Sequence, residues 1–171
     1  MGYSFVAQSA QSGTTGKGVE LLQFVTFKLG DEEYAIDILQ VREINIMKGV
    51  TKIPSSPSYV EGVVSQRGKV IPVVSLRKKF GLPAQDHRSQ AKIMIIEISG
   101  VNFGVIVDSV EEVLRIPSDV VEPPPPLAVG KSCEFIMGIA KLEERLIILV
   151  ELGRLLAIEE LALLVHEEEA A

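Results

Sequence analysis

The sequence has little of what reactive or metal-binding sites are built from. Its 171 residues include one cysteine, Cys133, no tryptophan and only two histidines, His87 and His166. A single cysteine excludes an internal disulfide framework and a thiolate zinc site, and it fits a reducing cytoplasm. Because so few ligands and bases are available, we expect neither a metal ion nor a cofactor.

Motifs for catalysis are missing as well. No serine lies in a GxSxG elbow, and no glycine-rich loop precedes a helix in the way that phosphate binding requires. Before residue 150, adjacent carboxylates occur at residues 31–33, 111–112 and 143–144. All three groups fall in expected turns or on strand faces, where contact with water explains them. The sequence therefore predicts a binding module and not an enzyme.

The charge is of the wrong sign for nucleic acid, and the apolar runs are short. Lys and Arg number 17 against 23 Asp and Glu, which gives a net charge of −6. Affinity for nucleic acid comes largely from cationic side chains on phosphates, so we expect no such partner.

No apolar run reaches the roughly 20 residues that cross a bilayer, and the start lacks the regions of a secretory signal. We expect a cytoplasmic chain without membrane insertion.

An internal repeat is the most informative pattern in the chain. FKLGDEEYAIDILQVREI (27–44) aligns without gaps to IEISGVNFGVIVDSVEEV (96–113), and GVVSQRGKVIPVVSLRKKF (62–80) aligns to GIAKLEERLIILVELGRLL (138–156). The offset grows from 69 to 76, which indicates an insertion in the second copy, near its run of four prolines. The sequence thus predicts two copies of one small structural plan.

Each copy reads as about five short strands separated by Gly- and Pro-containing turns. We therefore predict a mainly β fold of two pseudo-repeated, five-stranded antiparallel barrels with short helices, since closure removes exposed strand edges. A flexible tail is expected at 1–18 and one domain at 19–171. Within that domain the predicted first lobe is about 22–83, the second about 91–152, and a C-terminal helix about 153–166.

Two charged residues stand out among apolar neighbours. Arg67 lies at a predicted hairpin tip, where five donors in a planar fork are presented on a rigid base, although an ordinary polar turn residue would look the same. Glu43 lies between Val41, Ile44 and Ile46, and it is either a solvated strand residue or one acid in an apolar patch. An apolar patch with one acid and one base is typical of a protein interface.

These motifs resemble a known family. LGDEEYAIDILQVREI, IPSSPSYVEGVVSQRGKVIPVVSLRKKFG, FGVIVDSVEEVL and FIMGIAKLEERLIILVEL, in this order, are similar to the CheW family of bacterial chemotaxis coupling proteins. The resemblance runs from about Gln23 to Leu164. It implies SH3-like barrels and a non-catalytic adaptor that links the cytoplasmic tip of transmembrane chemoreceptors to the regulatory domain of the histidine kinase CheA.

The resemblance also implies which residues contact the receptor, in membrane-associated arrays. Residues matching the family's receptor-binding motifs are Val41, Glu43, Gly62 and Arg67. Val41 would supply an apolar contact, and Glu43 would set the polar register. Gly62 would permit a close backbone approach. Arg67 would tie the receptor tip or the lobe geometry to kinase control. The kinase-facing residues are left undefined.

Three positions depart from the family pattern. The family commonly has Asn-Leu where this chain has Ser65 and Gln66, and Asp where it has Ser75. These departures leave the identity of the receptor and kinase open. A second interpretation also stays open, in which the chain is the coupling part of a receiver-fused coupler or of a CheA-type kinase.

Overall fold

The structure is a computed structural model, and it describes residues 19–47, 49–83, 91–124 and 135–156. The tail expected at 1–18 and residues 157–166 of the expected C-terminal helix lie outside these ranges. The strands are β1 (Leu21–Leu29), β2 (Glu32–Asp37), β3 (Val41–Ile46), β4 (Val60–Gln66), β5 (Lys69–Ser75), β6 (Lys92–Ile98), β7 (Val101–Val107), β8 (Ser109–Pro117), β9 (Val121–Glu122), β10 (Ile136–Leu142) and β11 (Arg145–Val150).

Helical structure is short and local. Helices α1 (Leu76–Lys79) and α2 (Leu152–Leu155) follow β5 and β11, and 3-10 turns occupy Ile38–Gln40 and Ser118–Val120. Within the described ranges, no helix is long and apolar enough to cross a membrane. The prediction of a mainly β fold with short helices is confirmed.

The described residues form two compact units that are not consecutive in the chain. One unit comprises 19–40, 111–124 and 135–156, and the other comprises 41–110 apart from the undescribed positions 48 and 84–90. The lobes predicted at 22–83 and 91–152 differ from these units. The reason is that β2 pairs with the late strand β11, whereas β3 pairs with β6.

The first unit is built on a six-stranded sheet in the order β8-β1-β2-β11-β10-β9. Strands β1 and β2 form an antiparallel hairpin that places Phe27 opposite Tyr34, and their rings stack with centroids 5.8 Å apart. Both faces of β1 are buried, because Phe24 and Phe27 point to opposite faces and neither is exposed. Burying such side chains contributes roughly 1.5–3 kcal/mol each.

The second unit is built on a five-stranded sheet in the order β3-β6-β7-β5-β4. Its central strands are buried on both faces, since Met94 and Ile96 on one face of β6 are inaccessible to solvent and Ile93 and Ile95 on the other are only 3% and 4% exposed. In this strand order, β3 and β4 are the two outer strands of the sheet. Their position matters because the candidate site residues lie on them.

The pairing is SH3-like but departs from the predicted antiparallel barrels in three ways. Each sheet contains one parallel pair, β2 with β11 and β5 with β7. The first sheet has six strands and not five, and among the described strands each sheet is an open row and not a closed barrel. Hairpins impose antiparallel pairing, whereas strands far apart in the chain are not bound by that constraint.

Candidate functional site

The tip of the β4–β5 hairpin presents Arg67. Gln66 pairs with Lys69, which leaves a two-residue turn at Arg67 and Gly68 with φ of 54° and 79°. Left-handed conformations at both central residues are the mark of a type I′ turn, whose twist matches that of the strands. The Arg67 side chain is 77% exposed on this rigid base.

An ion pair joins the two outer strands of the second sheet. Arg67 Nε donates a hydrogen bond to Glu43 Oε2 at 2.7 Å, and a terminal guanidinium nitrogen contacts the same oxygen. The hydrogen bond from Arg67 lowers the pKa of Glu43 below its ordinary value, and Asn45 and Gln66 lower it further. Since β3 and β4 stand at opposite ends of the strand order, the sheet curves enough to bring its edges together.

Glycine is required at position 62 because the backbone at Thr51 passes close to it. Its φ is +150°, and a Cβ at this position would lie 2.0 Å from the carbonyl oxygen of Thr51. Thr51 and Val63 exchange two backbone hydrogen bonds of 2.8 Å, which hold that segment against β4. Any other residue at Gly62 would separate these two backbones.

Val41 is the first residue of β3 and lies next to a β-bulge. Val41 pairs with Ile96 and Glu43 with Ile95, so Arg42 is an extra residue on β3, and the side chain of Val41 is half-buried. Of the four residues predicted to contact a receptor, the structure brings Glu43 and Arg67 into direct contact. Val41 lies on β3 two positions before Glu43. Gly62 lies near the start of β4, away from the hairpin tip.

A groove of about 680 Å³ lies beside this ion pair. It is lined by Ile44, Asn45, Ile46, Gly49, Val64, Ser65, Gln66, Ile93 and Ile95. Ile44 is 42% exposed and Ile46 is 67% exposed, which is unusual for isoleucine side chains. The groove is therefore apolar, with a polar wall formed by an asparagine, a serine and a glutamine.

Two of the site's polar residues were not predicted from the sequence. Gln66 Nε2 donates to Glu43 Oε1 at 2.6 Å, and Asn45 Nδ2 donates to Gln66 Oε1 at 3.4 Å. Gln66 was noted only as a departure from the family pattern, and nothing marked Asn45. One signal in the sequence could have identified Asn45. Side chains alternate between the two faces of a strand, so Asn45 lies on the same face of β3 as Glu43.

Ser75, another departure from the family pattern, caps helix α1. Its hydroxyl accepts a hydrogen bond from the backbone N–H of Lys78 at 3.3 Å. Serine and aspartate are both strong helix N-caps, so this departure keeps the local function of the position.

The second copy of the repeat does not reproduce the ion pair. The alignment places Glu112 on Glu43 and Glu143 on Arg67. Glu143 keeps the left-handed backbone of a tip residue, with φ of 55°, but its charge is reversed. Glu112 is instead held by Arg145, at 3.0 Å. In the second unit the cation of the pair is therefore the tip residue itself, whereas in the first unit it is Arg145, the first residue of β11.

Among the described residues, no group of three or more His, Cys, Asp and Glu side chains is arranged to hold a metal ion. Two β-rich units, an apolar groove and an ion pair at its edge are features of a protein-binding module, that is, of an adaptor.

Comparison with known proteins identifies the kind of adaptor. A family model described as CheW-like domain matches residues 23–160. The chain therefore belongs to the CheW-like domain family, whose members are non-catalytic scaffold proteins.

Individual relatives agree with this assignment. The chain is 36% identical to the chemotaxis protein CheW of Klebsiella aerogenes, over 82% of this chain and 85% of the relative, and 36% identical to that of Helicobacter pylori, over 80% and 82%. The crystal structure of the scaffolding protein TtCheW from Thermoanaerobacter tengcongensis is similar with a TM-score of 0.73 and 39% identity, covering 80% of this chain and 92% of that one. This chain is a chemotaxis adaptor.

Proposed function

We propose that this adaptor couples chemoreceptors to the histidine kinase CheA within membrane-associated signalling arrays. The observation that carries the proposal is the Glu43–Arg67 pair at the edge of an exposed apolar groove. The family resemblance suggests the partners, namely the cytoplasmic tip of a receptor and the regulatory domain of the kinase. Because coupling needs contacts and no chemistry, the absence of catalytic motifs in the sequence fits this role.

We assign the receptor site to Val41, Glu43, Gly62 and Arg67. Exposed ion pairs contribute little to folding stability, since both charges are already solvated. At a protein interface the same charges set register and exclude wrong partners. The apolar side chains next to them provide the free energy of association, because their exposed surface leaves water on binding. Gly62 acts indirectly, by holding the segment at Thr51 close to β4.

Removal of the Glu43 carboxylate tests the receptor contact. We expect Glu43→Ala to weaken binding of a receptor-tip fragment about threefold to tenfold, as expected for the loss of one charged hydrogen-bonding partner. The thermal midpoint should stay near that of the wild type, because Arg67 is exposed and the pair is a surface pair. Isothermal titration and thermal unfolding measure the two quantities.

The same unit offers a matched control. Arg42 Nε donates to Glu97 Oε1 at 2.7 Å, and this pair joins the neighbouring strands β3 and β6. Glu97→Ala removes a similar Arg–Glu pair and should leave receptor binding unchanged. Equal affinity of wild type and Glu43→Ala would remove Glu43 from the receptor site.

A further inference from the structure

A chain of hydrogen bonds crosses from β3 to β4 at the mouth of the groove. Asn45 donates to the amide oxygen of Gln66 at 3.4 Å, and the amide nitrogen of Gln66 donates to Glu43 at 2.6 Å. Arg67 donates to the other oxygen of the same carboxylate at 2.7 Å. Gln66 is thus the central member of the chain, because its amide is both acceptor and donor.

The two oxygens of Glu43 are occupied by consecutive residues of one hairpin. Gln66 takes Oε1 and Arg67 takes Oε2, so the carboxylate is held from two directions. Gln66 is the last residue of β4 and pairs with Lys69, which fixes its backbone. Its side chain is half-buried, in contrast to that of Arg67.

Arg67 alone would hold the pair poorly. An exposed pair between two long side chains loses in side-chain entropy much of what it gains in attraction, so its geometry is loosely defined. A second donor from a less mobile, half-buried side chain restricts the carboxylate to one orientation. A fixed carboxylate in turn fixes the guanidinium, whose planar fork requires a defined acceptor position.

The resemblance implies leucine at this position, and a leucine side chain has no donor, so it could not form this chain of hydrogen bonds. We propose that Gln66 is a positioning residue, which orients the Glu43–Arg67 pair at the groove for contact with a partner. The part of the inference that concerns partner binding rests on the proposed function, whereas the orientation of the pair does not.

Replacement of Gln66 by the family residue tests the proposal. In Gln66→Leu, we expect the pKa of Glu43, followed by carboxyl-detected NMR titration, to rise from its value in the wild type because one hydrogen bond to the charged form is lost. The Arg67 Nε–H signal should show a lower order parameter, and affinity for a receptor-tip fragment should fall about threefold to tenfold.

Two further variants complete the design. Ser65→Ala changes an exposed residue of the same groove wall and should leave the Glu43 titration and the Arg67 signal unchanged. Asn45→Ala removes the outer end of the chain and should shift the Glu43 pKa in the same direction as Gln66→Leu, which gives a second reading should Gln66→Leu fold poorly. An unchanged Glu43 pKa and Arg67 order parameter in Gln66→Leu would overturn the proposal.

The outcomes separate the inference from the proposed function. If the NMR signals change as expected while the wild type does not bind the receptor fragment, Gln66 positions the pair but the receptor role fails. If the wild type binds the fragment and the signals of Gln66→Leu do not change, the receptor role stands and the positioning role of Gln66 is wrong.

Discussion

At the scale of single residues, Asp37 has a carboxyl group whose pKa is raised by a defined cause. It lies at the end of β2 with only 6% of its surface exposed, and its Oδ1 accepts a hydrogen bond from the backbone N–H of Leu39 at 2.9 Å. Burial raises its pKa to about 6, and the negative charge of Glu151 adds to the rise. The folded state therefore holds this proton more tightly than the unfolded state.

This shift predicts a pH-dependent loss of stability. A carboxyl whose folded pKa is raised stabilises the fold at low pH, and that contribution is lost as pH rises from its ordinary pKa through about 6. Relative to Asp37→Asn, which keeps an oxygen acceptor for Leu39, the wild type should lose about 2 kcal/mol of unfolding free energy between pH 4 and pH 7.5. Urea unfolding at both pH values measures this.

If Asp37→Asn changed the free energy of unfolding by the same amount at both pH values, the raised pKa of Asp37 would not be the cause of the pH dependence.

The sequence predicted the prominent charged residues of the site but not their surroundings. Glu43 and Arg67 were recognisable because each is a charge among apolar neighbours. Asn45 and Gln66 were not, because their hydrogen bond joins strands from opposite ends of a sheet and depends on its curvature. Local pattern carries no information about that curvature.

At the scale of elements, the approach of the Thr51 segment to β4 depends on one glycine. Gly62→Ala would place a methyl group 2.0 Å from the Thr51 carbonyl oxygen at a φ of +150°, so the variant must break two backbone hydrogen bonds or distort β4. We expect a loss of about 3 kcal/mol or more in the free energy of unfolding, measured by urea denaturation.

A glycine that also has a positive φ but no close neighbour gives the comparison. Gly100, in the β6–β7 turn, has φ of +81° and open space where its Cβ would be. Gly100→Ala should cost only about 1 kcal/mol, from backbone strain alone. Equal costs for the two variants would mean that the contact with Thr51 is not what requires Gly62.

Elements formed by local signals were predicted well, and long-range pairings were not. The turn at Arg67 and Gly68 follows from its sequence and is confirmed. The parallel pairs and the sixth strand of the first sheet join segments far apart in the chain. No turn residue specifies such pairings, and they depend on how distant segments pack within each unit.

At the scale of the whole molecule, the repeat identified two copies but not their boundaries. The chain passes from one unit to the other at Gln40/Val41 and again at Val110/Glu111, positions that the repeat aligns to within one residue. Each sequence copy therefore contains strands of both units. Alignment detects similarity along the chain, whereas the units depend on strand pairing, so consecutive lobes were the wrong inference.

At the same scale, the proposed function requires that the chain couple receptor and kinase through contacts alone. Arg67, exposed at the hairpin tip, can be removed without disturbing the core. Arg67→Ala should therefore keep the thermal midpoint of the wild type while reducing kinase activation severalfold. Arg42→Ala removes an equivalent exposed cation from the same unit and should not reduce activation.

Kinase activity in a reconstituted mixture of receptor-bearing membranes, the histidine kinase and this chain tests that claim most directly. The wild type should raise kinase activity above that of receptor and kinase without the adaptor, and Arg67→Ala should raise it severalfold less at equal protein concentration. Full activation by Arg67→Ala, or no activation by the folded wild type, would contradict the account.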